Sequence, residues 1–271
     1  SLVPVALACA TAAVVRRPLL GDGPLFPTQP FPSHIGVIAL LACVAAGVAA
    51  GALSALLTSA VYASEDAFAR LPIHWMWWPA IGGAVIGIGG LIFPQALGVG
   101  YDVIETLLRG DATSTIIIGV LLVKSTIWAV SLGSGTSGGV LAPLLMMGGA
   151  LGGLEAHIFP SIGPGFWPAI GMAAILGGTM RAPMTGIIFI LELTHDINLM
   201  LPLLIATVVA HGFTVLLLKR SILTEKIARR GFHVTREYAI DPLEIFFVRE
   251  LMRVDVVALA GSMTVDELRS G

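Results

Sequence analysis

From Ile35 to Ala63 the sequence carries no acidic, basic or imidazole side chain, and the same holds from Pro79 to Tyr101. Uninterrupted stretches of this kind exceed the roughly 18–20 apolar residues that mark a membrane-crossing helix. Composition agrees: 12 % of residues are charged, 56 % are hydrophobic and the mean hydropathy is +0.92. A soluble globular domain carries roughly 25 % charged residues. The chain reads as an integral membrane protein.

Other classes are excluded by what the sequence lacks. The formal net charge is −2, and no basic block with interleaved aromatics points to nucleic acid. Cys9 and Cys43 lie in apolar runs with no CxxC and no neighbouring ligand residue, so both are expected to be small buried thiols rather than a disulfide or a metal site. No signal peptide is visible. Ser1 leads directly into an apolar run, which suggests that the chain opens inside a helix and that any natural N-terminus lies upstream.

Leu2–Val15 reads as the end of a span closed by Arg16, Arg17 and Pro18, and a Pro/Gly-rich loop follows. Ile35–Ala63 carries Gly47 and Gly51 at GxxxG spacing, and Pro79–Phe93 carries Gly83 and Gly87 likewise. Such small residues let helix backbones approach closely in lipid. Beyond Thr115 the apolar segments shorten: Thr115–Leu132 (broken only by Lys124), Val140–Phe159, Phe166–Gly178, Met184–Leu193 and Leu199–Leu218. Several fall below about 17 residues, the lower limit of a full span. Short, Gly/Pro-interrupted segments imply helices that stop at mid-membrane, where transporters build ion sites. The expected fold is an all-α membrane bundle of tilted and broken or re-entrant helices. A transport domain is expected over residues 1–236. Basic residues from Lys219 to Arg236 put that end in the cytoplasm by the positive-inside rule. Residues 237–271 then read as a linker and the start of an α/β module.

The segment from Ser131 to Leu145, SLGSGTSGGVLAPLL, carries the chemistry. Its glycines cost about 1 kcal/mol each in a helix, and an unwound stretch in lipid must hide its amides or present them to a polar cavity. Pro143 suits the first turn of a new helix. The expected geometry is a Gly-rich turn followed by a helix starting near Val140. Its free N–H groups and dipole end, about half a charge, make an anion site. Gly138 and Gly139 allow close approach, while Val140 and Leu141 supply amides. Gly133-x-Gly135-x-x-Gly138, with Glu155 further on, also matches a dinucleotide fingerprint. That reading requires a strand on either side in a soluble unit, which the apolar flanks do not provide. Neither an enzyme nor a bound cofactor is expected.

These residues resemble a known family. Gly139-Val140-Leu141-Ala142-Pro143 is similar to the GxFxP motif of the CLC chloride channels and chloride/proton antiporters, with Leu141 at the usual phenylalanine. Lys124 ahead of it, Gly171-Met172-Ala173, Arg181-Ala182-Pro183-Met184-Thr185, Leu191-Glu192-Leu193-Thr194 and Pro94-x-x-x-Gly98-x-Gly100-Tyr101 extend the likeness along essentially the whole chain. The resemblance implies a multi-pass homodimer in the cell membrane. Each subunit would have its own chloride path built from inverted repeats, with protons as a possible second substrate. The end, from about Phe247, resembles the opening of a CBS module. The family's serine- and glutamate-bearing turns, and the internal glutamate of its proton path, have no counterpart here and would lie upstream. The chloride-coordinating tyrosine aligns with Leu223, in Ser221-Ile222-Leu223-Thr224, so a phenolic ligand is missing. A carrier of another small anion, fluoride included, and a non-transporting fragment are the alternatives.

Other polar residues have plainer expectations. Lys124 either concentrates anions or pairs with an acidic loop residue or snorkels. Glu192 is expected to partner Arg181 rather than carry a proton, Glu155 with His157 to be a helix-end charge at the interface rather than a proton relay, and His211 to be a satisfied packing histidine. Trp75, Trp77 and Trp78 read as an interfacial aromatic belt.

Overall fold

A computed structural model describes residues 2–21, 23–218 and 221–229, and these contain helices and no strand. The expected CBS opening and the segment 237–271 lie outside them. The helices are α1 (Leu2–Leu20), α2 (Val37–Ala69), α3 (Trp78–Ile92), α4 (Tyr101–Arg109), α5 (Ser114–Gly119), α6 (Ser125–Gly133), α7 (Leu141–Glu155), α8 (Phe166–Met180), α9 (Pro183–Thr194), α10 (Met200–Leu217) and α11 (Ile222–Arg229). A turn of π-helix, Val120–Lys124, joins α5 to α6 without a break.

Length sorts these helices. Val37–Ala69, Trp75–Ile92, Ser114–Gly133 and the stretch containing α10 are long and apolar enough to cross a membrane. With 33 residues α2 is about 50 Å long, well beyond the roughly 30 Å hydrocarbon core. It runs six residues past the Ala63 boundary, to Ala69. By contrast α7, α8 and α9 have 15, 15 and 12 residues, so each is shorter than the bilayer, as the interrupted pattern implied. Helix α1 continues through Pro18 to Leu20 rather than closing at Arg17. Its apolar side chains are exposed, Val3 at 68 % and Val14 at 70 %, and Cys9 is exposed with them. The expectation of two buried thiols holds only for Cys43.

Helix α8 is the centre of the bundle: every residue from Phe166 to Thr179 is buried, with α7, α10, α2 and α9 packed around it. An all-round apolar helix is stable only in such a position. Glycine makes the packing possible. A Cβ on Gly148 would sit 2.5 Å from the Gly171 carbonyl oxygen, and one on Gly152 would strike the Trp167 carbonyl, so α7 and α8 touch backbone to backbone. The α2–α10 contact works the same way at Gly47, whose Cβ would lie 2.5 Å from the Ala206 oxygen, and at Gly51 against Phe213. The pair expected on α3 fails: Gly83 and Gly87 face open space, and Gly82, Gly89 and Gly90 make the contacts instead. Both pairs share one spacing, and only the orientation of the helix separates them.

Candidate anion site

The Gly-rich stretch folds as a turn that ends α6 and aims α7. Gly135, at φ 83, takes the left-handed step that a side chain would resist. Its N–H donates to the Leu132 carbonyl at 3.2 Å. The Thr136 hydroxyl donates to the Ser131 carbonyl at 2.6 Å and lies 2.8 Å from the Ser131 hydroxyl, fastening the turn to the helix it leaves. Beyond Gly139 there is open space where a side chain would stand.

Helix α7 begins at Leu141, with Val140 as the capping residue. Helix starts leave several N–H groups without partners, and Ser, Thr, Asp or Asn normally satisfies one of them. Val140 has no side-chain oxygen and makes no cap. Among the described residues, none accepts a hydrogen bond from the N–H of Gly138, Gly139, Val140, Leu141 or Ala142. Gly138, Gly139 and Leu141 are exposed on this chain, and Val140 is half-buried. Trp128, not singled out by any motif, donates its indole Nε1–H to the Gly139 carbonyl at 3.2 Å. Because the peptide is planar and trans, holding that carbonyl turns the Val140 N–H away from the indole.

A cavity of about 220 Å³ lies beside this turn, lined by Lys124, Trp128, Ser131, Gly138 and Gly139 among others. Lys124 is 6 % exposed. A charge buried in an apolar span costs about 3 kcal/mol, and among the described residues no acidic side chain pairs with it. Its Nζ donates to the Ala96 carbonyl at 2.7 Å and to that of Gly98 at 3.0 Å. Carbonyls solvate the ammonium without supplying a counter-charge. The π-turn ends at Lys124. Such insertions shift the helical phase and recur at functional sites.

Lys124, Gly138 and Gly139 thus meet at one cavity, with Val140 and Leu141 following directly. Leu223 does not line it. Leu223 sits in the first turn of α11, 46 % exposed. That junction is held from three sides. Ser221 and Thr224 cap each other, with Thr224 N–H to Ser221 Oγ at 3.2 Å and Ser221 N–H to Thr224 Oγ1 at 2.9 Å. The Tyr62 hydroxyl donates to the Ile222 carbonyl, and Arg181 donates to the Leu218 carbonyl at 2.5 Å.

The remaining expectations are redrawn. Glu192 faces Arg16 at 3.5 Å on an exposed surface, while Arg181, at φ 56 between α8 and α9, reaches back to the end of α10. Glu155 is buried rather than interfacial. The Nδ1 of His211 is buried and has no hydrogen-bond partner among the described residues, so it is not the satisfied histidine expected. Trp75 and Trp77 point outward, 66 % and 61 % exposed.

Residues 1–215 match the family model described as Voltage gated chloride channel. The voltage-gated ClC-type chloride channel ClcB of Citrobacter koseri is 30 % identical over 221 residues, covering 78 % of this chain and 52 % of that protein. The H(+)/Cl(-) exchange transporter ClcA of Salmonella paratyphi A is 29 % identical over 204 residues, covering 72 % of this chain and 43 % of the other. A slow cyanobacterial Cl-/H+ antiporter of known structure superposes with a TM-score of 0.69 at 25 % identity, covering 82 % of this chain and 54 % of that one. A CLC-type fluoride/proton antiporter gives a TM-score of 0.67 at 18 % identity, which speaks to the fold alone. The chain spans about half the length of the curated relatives it matches.

Proposed function

The chain belongs to the voltage gated chloride channel family, and from that premise we propose that it supplies one half of a transmembrane chloride path. In this reading chloride is held by the N–H groups of Gly139, Val140 and Leu141, with Gly138 giving access and Lys124 supplying the field. The observation that carries the reading is the uncapped start of α7, with its bare amides beside a cavity that holds a buried lysine bonded to backbone carbonyls.

The energetics suit transport. Half a charge acting on a monovalent anion some 4 Å away, at an effective dielectric near 20, is worth roughly 2 kcal/mol. An ion has to bind well enough to enter and weakly enough to leave. Lys124 is restrained by its two carbonyls, so it biases the cavity without closing a tight ion pair. Leu223 offers no hydroxyl, so the inner end of the path relies on backbone and water rather than a phenol.

A homodimer with a cytoplasmic C-terminus completes the proposal. The basic run from Lys219 to Arg236 supports the orientation. The exposed apolar faces of α1, α9 and α10, with Val14, Ile188 and Leu216 at 70 %, 59 % and 86 %, need covering by lipid or by a second subunit. Subunit counting of the full-length protein in bilayers should give two copies; one copy would contradict the dimer.

Reversal potentials of the reconstituted full-length protein test the transport reading. A potential that follows the chloride gradient supports it, and an additional shift with the pH gradient identifies an exchanger. Fluoride in parallel provides the control for ion identity. No response to chloride would defeat the proposal.

A further inference from the structure

Helix α7 ends as unusually as it begins. Its last residue, Glu155, is 6 % exposed, and neither carboxyl oxygen has a hydrogen-bond partner among the described residues. An ionised carboxylate there would lose its water without compensation and would also sit at the negative end of the helix dipole.

Among the described residues no cation offsets this. The elements packed against α7 are α8, α4, α5, α6, α2 and the π-turn. Helices α5, α6 and α8 carry no ionisable side chain. On α4, Tyr101 and Asp102 are exposed, and Glu105 pairs with Arg109 at 2.5 Å, their side chains 35 % and 52 % exposed. Lys124 of the π-turn is engaged with Ala96 and Gly98 beside the other end of α7. From α2 comes Cys43, fully buried and within electrostatic range of the Glu155 carboxyl. Tyr62, Glu65 and Asp66 lie roughly 30 Å further along that helix. His157, just beyond α7, is exposed, with its Nδ1 3.0 Å from the Gly153 carbonyl.

We propose that Glu155 is a buried proton-binding site, occupied as the neutral carboxylic acid, at the opposite end of the helix whose start faces the anion cavity. Removing the proton leaves a bare charge in a buried site at the carbonyl end of α7. An anion at the start of α7, about 20 Å away along the helix, feels that new charge as a like-charge repulsion across the low-dielectric bundle. On the chloride reading given above, alkaline conditions therefore weaken anion binding.

Infrared difference spectra of the full-length protein, wild type against Glu155→Gln, test the site. The wild type should show a protonated-carboxyl C=O band that the variant lacks and that fades as pH is raised. Thermal stability gives a second reading. The folded state holds a proton that the unfolded chain releases, so wild-type stability should fall relative to the variant as pH rises. Glu155→Leu should fold, since a neutral acid in an apolar site tolerates an apolar side chain. An unchanged band with Glu155→Leu unable to fold would mean an ionised carboxylate paired elsewhere, and would overturn the proposal. Chloride affinity measured on the same samples separates the readings. A lost band with pH-independent chloride affinity keeps the proton site and overturns its link to the anion. No chloride binding at any pH defeats the chloride reading and leaves the band to decide the proton site alone.

Discussion

A side chain at position 140 matters less than the nitrogen it hangs from. If the Val140 amide is a ligand, Val140→Pro removes one hydrogen bond to a charge, worth about 1.5–3 kcal/mol, and chloride affinity by titration calorimetry should fall about tenfold or more. Val140→Ala keeps the donor and should bind like the wild type; equal losses in the two would rule out backbone coordination. Lys124 acts through its charge, so Lys124→Met should lower chloride conductance severalfold while Lys124→Arg retains most of it. Loss of conductance in both would make the lysine a packing element. The Gly-rich turn and the helix start after it were legible in the sequence, because few residue types tolerate such a backbone. Trp128 and the two carbonyls on Lys124 were not legible. They come from positions far from the motif or on its preceding helix, and a carbonyl belongs to every residue. Glu155 was misread for the same reason: sequence locates a helix end but not whether other helices cover it.

Among the elements, α7 matters most, and its aim is fixed by how it lies on α8. Gly152→Val would force the two backbones apart and should cost about 1–3 kcal/mol, seen as a lowered melting temperature in detergent. Gly83→Val on α3 meets open space and should leave the melt unchanged. If both variants behaved alike, the glycine contacts would not be holding the bundle. The GxxxG spacing is present on both α2 and α3, yet only α2 uses its pair, since spacing defines a face and packing decides which face is used. At the other junction, Tyr62→Phe deletes the hydrogen bond to the Ile222 carbonyl and should lower stability by about 1 kcal/mol. A melt identical to the wild type would mean that α11 is held by Arg181 and the Ser221–Thr224 cap alone. The long apolar helices followed from apolar length and charge spacing, but α4 did not: the stretch from Pro94 to Asp111 reads as a loop, and Tyr101–Arg109 within it is a helix. The ends of α1 and α2 did not follow either, because a proline within α1 and acidic residues late in α2 are tolerated once the helix projects beyond the apolar core.

For the whole molecule, short helices such as α7 end inside the bundle because α8 and its neighbours enclose them. The half-membrane segments of the sequence become short helices packed around α8, with a cavity beside the start of α7. The expected membrane bundle is visible in the described residues, whereas the soluble module at the chain's end lies outside them. What unites the account is an anion beside the start of α7. Crystals of the full-length protein grown in bromide address it directly through anomalous scattering. The account predicts a peak within hydrogen-bonding range of the Val140 and Leu141 nitrogens. A peak confined to the Lys124 ammonium, or none along the cavity, would contradict it.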